Sequence, residues 1–493
     1  MKKDIQTKII FTYVVSLVLI LAIVAVLVVY NWNLYREHVR IRFRAVGELK
    51  TLDSGFGPGF QKFPAKGALL GESEVGKGKI AFTIEATNRR QNRNEIRQLE
   101  IDINTLEVTA RRDFKNPNND SQKSSSGPIW LKNDLGYDTY YFYQFETKRA
   151  NFEGDYIWTM NDPDILKIAG VEKGPAVIRL GDLPNHLSTD IINPSSGIYL
   201  NTPGQSNICL LGEFWYDGAR HGPRNELRNG DGYAVCYVVN ASGKSSDSPF
   251  YRLRNKFRIQ MDMASIPGSA GIISFDTEDK TGPLAFYPGK FVKSASPDVV
   301  AIDFSKEVNS LPVILSRRVE GRTFETAYIV SNRIDNDGYY AFWIEMQKGY
   351  DWPKAKGDIL TGKPGFSYFT RSLMVSISND RGRTFSEPIR ASGRDYFFDG
   401  CFTTSPDGDI YVLYLTTEKN EHVGRMRVLR RGASEFETCY VFHEKGQPGF
   451  VPVEPMMKVV KTSEGRTRVI IVSKSQPTNP FSDYYAVALD EIE

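Results

Sequence analysis

After Gly59 the chain carries no amphipathic helical period longer than about two turns, and this limits it to an all-β fold. What recurs instead are short apolar or alternating runs broken by turn-forming residues. Lys79–Glu85 reads as a strand, Gln98–Ile103 alternates with period two, and Asn104-Thr105 turns it into Glu107–Ala110. This triplet has the form of three strands from one four-stranded unit. Thr139–Phe145 and Tyr156–Met160 read as aromatic-rich strands. Ile208–Trp215 is expected to face Gly232–Val239, and Thr326–Asn332 to join Tyr339–Glu345 through Asp335-Asn336-Asp337-Gly338. Asp337-Gly338 and Asp407-Gly408 are hairpin signals. Asp335, Asp337, Asp407 and Asp409 lack a completing bidentate carboxylate, so they read as turn residues rather than calcium ligands.

One turn has enough detail to carry a mechanism. Ser372–Ile377 reads as a strand and Ser386–Arg390 as a second, shorter one. Between them, Asp380 can accept hydrogen bonds from its own turn, and Gly382 can adopt positive φ without steric cost. Thr384 adds a hydroxyl to the same network, and Phe385 supplies an apolar anchor. The order Ser378, Asp380, Gly382, Thr384, Phe385 resembles the Asp box of sialidases and related β-propellers. The resemblance implies a propeller of about six to seven four-stranded blades, favours six, and makes the box a structural turn away from the chemistry. Gly321-Arg322-Thr323-Phe324 repeats the end of the box 61 residues upstream with Val319 in place of the aspartate, and Gly465-Arg466-Thr467 is a weaker echo. A period near 60 residues suits one blade.

A sialidase-like site, by resemblance, needs an arginine triad, a Tyr/Glu pair and an aspartic acid, its first arginine lying in a Phe/Tyr-Arg-Ile-Pro motif. The nearest match, Phe257-Arg258-Ile259-Gln260, lacks the proline, lies mid-chain, and shows no following strand pattern. No motif fixes the other catalytic positions, so no catalytic residue is assigned. The candidate ligand-binding loop is Asp217–Asp231, with Arg220, His221, Arg224, Glu226 and Arg228. Its Arg-Asn-Glu-Leu-Arg run resembles a signature of alginate and glucuronan lyases, where arginine and glutamate bind an acidic sugar. There, arginine would neutralise the carboxylate while His221 or a tyrosine removes the α-proton. A solvated charged loop with internal salt bridges is the competing reading.

Ile9–Tyr30 is 22 residues without a charge, enough for a helix of roughly 33 Å that spans a bilayer. It ends in Val-Tyr-Asn-Trp rather than small residues, which reads as an uncleaved anchor, with Tyr30, Trp32 and Tyr35 at headgroup level. The expected organisation is a tail at 1–8, an anchor at 9–32, a stalk and linker at 33–59 ending in the glycine-rich Leu52–Gly59, and the propeller at 60–493. Lys2, Lys3 and Lys8 nearly balance Arg36, Arg40, Arg42 and Arg44 across the anchor. Long domains translocate largely regardless of charge, so the propeller is expected outside the cytoplasm.

Net charge of +3 over 493 residues gives no reason to invoke nucleic acid. Cys209, Cys236, Cys401 and Cys439 show no CxxC spacing and no neighbouring histidine pair, which excludes a metal reading and leaves disulfides and free thiols both open. No phosphate loop, nucleophile elbow or dinucleotide fingerprint is present, so no cofactor is expected. The function expected is a membrane-tethered propeller that binds a glycan or protein partner. The alternatives are a glycan-active enzyme (a sialidase-like exo-glycosidase or a uronate lyase) and an accessory subunit of a membrane complex.

Overall fold

The computed structural model describes residues 42–75, 77–88, 93–114, 259–266, 269–276, 282–293, 312–317, 322–332, 338–347, 371–393, 399–418, 421–443, 450–474 and 481–492. It also describes the strand segments 129–132, 139–145, 157–159, 177–179, 191–202, 205–215, 232–240, 253–255 and 300–303, with single residues at 22 and 90. The expected anchor, the loop carrying Arg220 to Arg228, and Phe257-Arg258 lie outside the described residues. Among the described residues no helix is long and apolar enough to cross a membrane.

The described sheets make the fold all-β, and Glu72–Val75 is a four-residue helix between the first two strands of the first meander. Neighbouring strands pair antiparallel almost throughout, and the described strands form seven four-stranded meanders. Their first strands begin at Gln61, Ile129, Ile191, Ile259, Arg322, Asp399 and Val453. The first two meanders touch through a single parallel pair, Lys66–Ile129, and the fourth carries an added strand, Val313–Ser316. First strands of successive meanders contact one another, and the first strand of the last also contacts that of the first, Gln61–Leu70. The arrangement is β-propeller-like.

The core lies between meanders, because each sheet buries both faces. Phe324, Ala327, Ile329, Tyr339, Ala341 and Trp343 of the fifth meander pack on Ile273, Phe275 and Phe286 of the fourth. On the opposite face, Tyr340, Phe342, Leu373 and Val375 pack on Ile410, Val412 and Tyr414 of the sixth. That alternation along Tyr339–Ile344 is why the strand reads as almost uniformly apolar. Thr467–Lys474 is buried at every position.

The N-terminal strand corrects the expected domain plan. Phe43–Leu52 pairs with Tyr484–Glu491, and so completes the last sheet instead of forming a stalk. Phe43 and Leu52 are buried at its two ends, and Gly47 sits where the register slips between Val46 and Lys50. The boundary expected at Gly59 falls inside the β domain. Arg42, expected among an arginine collar at the membrane, instead pairs with Glu437 at 2.8 Å.

Three further expectations are corrected. The strand read over Ser386–Arg390 is only Ile389–Arg390, because Ser386 is taken up by turn contacts with Ser376 and Ile377. The upstream copy of the box is not a turn: Arg322–Phe324 begins the first strand of the same meander whose third strand ends in the box. A blade repeat is therefore not what separates them. Ile259–Ile266, expected to lack a strand pattern, is the first strand of the fourth meander.

Candidate functional site

Every meander has two edges. At the mouth edge its first strand begins; at the turn edge its first hairpin closes. The Asp box lies on the turn edge. Asp380 accepts from the Thr384 amide at 2.9 Å and the Thr384 hydroxyl at 2.6 Å, and Ser378 Oγ donates to it at 2.9 Å. Gly382, at φ 77°, donates its amide to Ser378 Oγ at 2.8 Å. A Cβ on Gly382 would sit 2.1 Å from the Phe286 ring of the fourth meander, and Phe385 meets the same ring at 5.0 Å. The box thus locks a turn against the neighbouring sheet and offers no group to a ligand. Asp407 and Asp409, also on this edge, are held by Lys461 and by Arg430 with the Arg431 amide. No group of residues suited to a metal ion occurs among the described residues.

The first strands carry a different set, running from Glu325 near the mouth edge to Tyr328 past the middle of Arg322–Asn332. In the fifth meander Glu325 falls at a register shift between Phe324 and Thr326, a β-bulge in the first strand. A bulge re-aims its side chain and is common beside sites. Glu325 receives Arg371 Nε at 2.6 Å, from the start of the third strand. Arg371 is buried, which makes it a holder of the carboxylate and not an outward-facing cation. Three residues along, Tyr328 is 38% exposed. Its ring lies 5.6 Å from Phe402 of the sixth meander. Burial pushes its phenol up to about 12, with Asp262 and Glu325 adding to the rise. Asp262 comes from the first strand of the fourth meander and accepts the Ile329 amide at 3.0 Å. The Tyr328 phenol is therefore protonated at neutral pH and feels the charges of two carboxylates supplied by adjoining first strands.

On the other side of the ring the first and last meanders are tied together at the mouth edge. Lys62 Nζ meets Asp483 at 2.6 Å, Ser54 Oγ donates to the same oxygen at 2.7 Å, and Lys474 Nζ donates to the Lys62 carbonyl at 2.7 Å. Burial works against the Asp483 carboxylate, but the bonds from Lys62 and Ser54 outweigh it and hold the group below its usual range. Burial pushes Lys474 down, opposed by Glu454 and reinforced by Lys62. Glu454 has positive φ, 48°, and its amide is pinned by Asp399 at 2.8 Å. Non-glycine residues in this region are strained and cluster where surrounding structure holds them. Phe481, 49% exposed, is the most exposed large apolar side chain among the described residues and stands beside this junction.

None of Asp262, Glu325, Tyr328 and Arg371 was singled out from sequence. The available signal was Arg371 opening the apolar run Ser372–Ile377, a charge whose burial demands a partner. Cys401 and Cys439 are free thiols, Cys439 buried with its Sγ donating to the Met426 carbonyl at 3.3 Å.

No family model matches the sequence, and no curated protein matches it. Solved structures do show likeness. A polysaccharide lyase, Uly1, superposes with TM-score 0.46 and 9% identity over 87% of this chain and 90% of its own. A family 117 glycoside hydrolase from the marine bacterium Zobellia galactanivorans gives TM-score 0.31 and 10% identity over 63% and 86%. The hydrazine synthase of Kuenenia stuttgartiensis gives 0.36 and 10% over 80% and 93%.

Proposed function

We propose that this chain is a seven-bladed β-propeller that cleaves a glycosidic bond beside the first strands of its fourth and fifth meanders, and that residues 9–32 anchor it in a membrane with the propeller outside the cytoplasm. The observation that carries the activity is the exposed Tyr328 side chain, whose phenol feels the charges of both Asp262 and Glu325. Glycoside cleavage needs one group to protonate the leaving oxygen and a second to receive a proton or steady developing positive charge. A phenol held protonated serves as the first, and an ionised carboxylate beside it serves as the second. Arg371 is a positioning residue, holding Glu325 through its Nε at 2.6 Å. The seven meanders and the Phe43–Leu52 strand that closes the last of them support the blade number.

The test is to incubate the purified full chain with sialosides, polyuronates and neutral polysaccharides, following both new reducing ends and the ultraviolet absorbance of unsaturated sugars. Reducing ends without absorbance mean hydrolysis, and both together mean β-elimination. Silence from folded protein across all three classes would sink the enzyme reading.

One observation favours a second reading, a propeller that binds a glycan without cleaving it. Both carboxylates beside Tyr328 already have partners, Glu325 with Arg371 and Asp262 with the Ile329 amide. Retention on immobilised glycan with no product would select this reading.

A further inference from the structure

We infer that the turn edge of the propeller, carrying the Ser378–Phe385 turn, faces the membrane and that the mouth edge points away from it. This rests on the anchor proposed for residues 9–32, and adds the direction in which that anchor presents the propeller.

The direction follows from the register of the N-terminal strand. Phe43 lies opposite Glu491, and Leu52 lies opposite Tyr484. In the same sheet Asp490 faces Arg468, and Lys461 faces Thr467 across the hairpin 462–466. The strand therefore starts at the turn edge and climbs to the mouth edge, where it passes through Ser54 to Lys62. The turn edge is continuous around this side of the ring. The Tyr340 hydroxyl reaches the Gly408 carbonyl at 3.5 Å, and Lys461 pairs with Asp407, so the first hairpins of the fifth, sixth and seventh meanders stand together.

Distances decide between the two orientations. Nine residues, 33–41, separate Trp32 from Arg42, and even fully extended they reach at most about 36 Å. The ten-residue strand Phe43–Leu52 climbs roughly 33 Å. With the mouth edge towards the bilayer, the connection would spend nearly all its reach retracing the height of the sheet. With the turn edge towards the bilayer it spends almost none. The point where the chain joins the sheet is also fixed: Arg42 pairs with Glu437, and Phe43 is 1% exposed.

The experiment is single-particle imaging of the full chain in nanodiscs of phosphatidylcholine with phosphatidylserine, with a bulky tag fused at the C-terminus. Glu491 closes its strand on the turn edge, so the tag marks that edge. The expected images place the tag between ring and disc. A tag on the far side of the ring, or rings at random angles, would overturn the orientation. Protein that never enters nanodiscs would remove the anchor and the orientation with it. A variant with twelve Gly/Ser residues inserted after Trp32 provides the control: its rings are expected to lose their fixed angle and to keep their fold by circular dichroism. Rings that hold the same angle despite the longer connection would show that the tether does not set it.

Discussion

Arg468 and Asp490 form a bidentate pair across adjacent strands of the last meander, with Nε to Oδ1 at 2.5 Å and Nη2 to Oδ2 at 2.8 Å. Both are buried, and Arg468 Nη1 also donates to the Ile103 carbonyl of the first meander at 3.0 Å. The pair thus sits where the two ends of the chain close on each other. Removing one partner leaves the other charge buried and unpaired. Asp490→Ala is expected to lower unfolding free energy by about 3–5 kcal/mol, read from the urea midpoint.

Gly382 is needed twice, for its φ of 77° and for the room that Phe286 takes. Phe286 also touches Gly271 in its own sheet, where a Cβ would stand 2.1 Å from the ring, so the ring has nowhere to retreat. Gly382→Ala is expected to cost about 2 kcal/mol or more, and Phe286→Leu in the same chain should recover part of that. A melting temperature unchanged by Gly382→Ala would show that the turn does not bear on the sheet.

Burial raises the Asp380 carboxyl, but the Thr384 hydroxyl and amide and the Ser378 hydroxyl outweigh it and hold the group below its ordinary 3.8. A depressed folded value stabilises the protein above the unfolded value, and that stability disappears as pH falls through the folded one. Asp380→Asn is therefore expected to melt lower than the parent at neutral pH, with the gap closing as pH falls below the ordinary carboxylate range. Thermal melts across that range check it. A constant gap would place the effect in the turn geometry and not in the charge.

Burial pushes the Cys439 thiol well above its ordinary value, and Arg430 opposes this only in part. Thiolate is the reactive form, so Cys439 should resist a thiol reagent in folded protein and react once urea unfolds it. Mass spectrometry of labelled peptides reads this directly. Rapid labelling in the folded state would mean that the interface between the sixth and seventh meanders opens.

Much of the fold was legible because local patterns and the final structure agree. The aromatic run Thr139–Phe145 is a strand with those bounds, and Gly232–Asn240 pairs with Gln205–Trp215 as alternation suggested. What escaped was non-local. Phe43–Leu52 alternates poorly around Gly47, and its partner lies more than four hundred residues away, so nothing nearby announces that it closes the ring. The box copy at Gly321 misled because four residues of common types recur easily, and Arg322–Phe324 is strand. The set around Tyr328 escaped for a related reason: Asp262, Glu325, Tyr328 and Arg371 come from three strands in two meanders, and a bulge moves Glu325 off the alternating face. Sequence spacing cannot express that convergence.

The most direct test of the account compares glycan cleavage by the parent chain and Tyr328→Phe. The substitution removes one hydroxyl from a partly exposed ring and should leave the melting temperature within about 1 °C. Since the phenol stays protonated up to about 12, the parent rate should not fall through loss of this proton at mildly alkaline pH. The expected result is a parent that releases product and a variant whose kcat drops by about 10²–10⁴-fold with KM little changed. A variant that turns over at the parent rate, with the parent active, would contradict Tyr328 as the proton donor and its surroundings as the place of reaction.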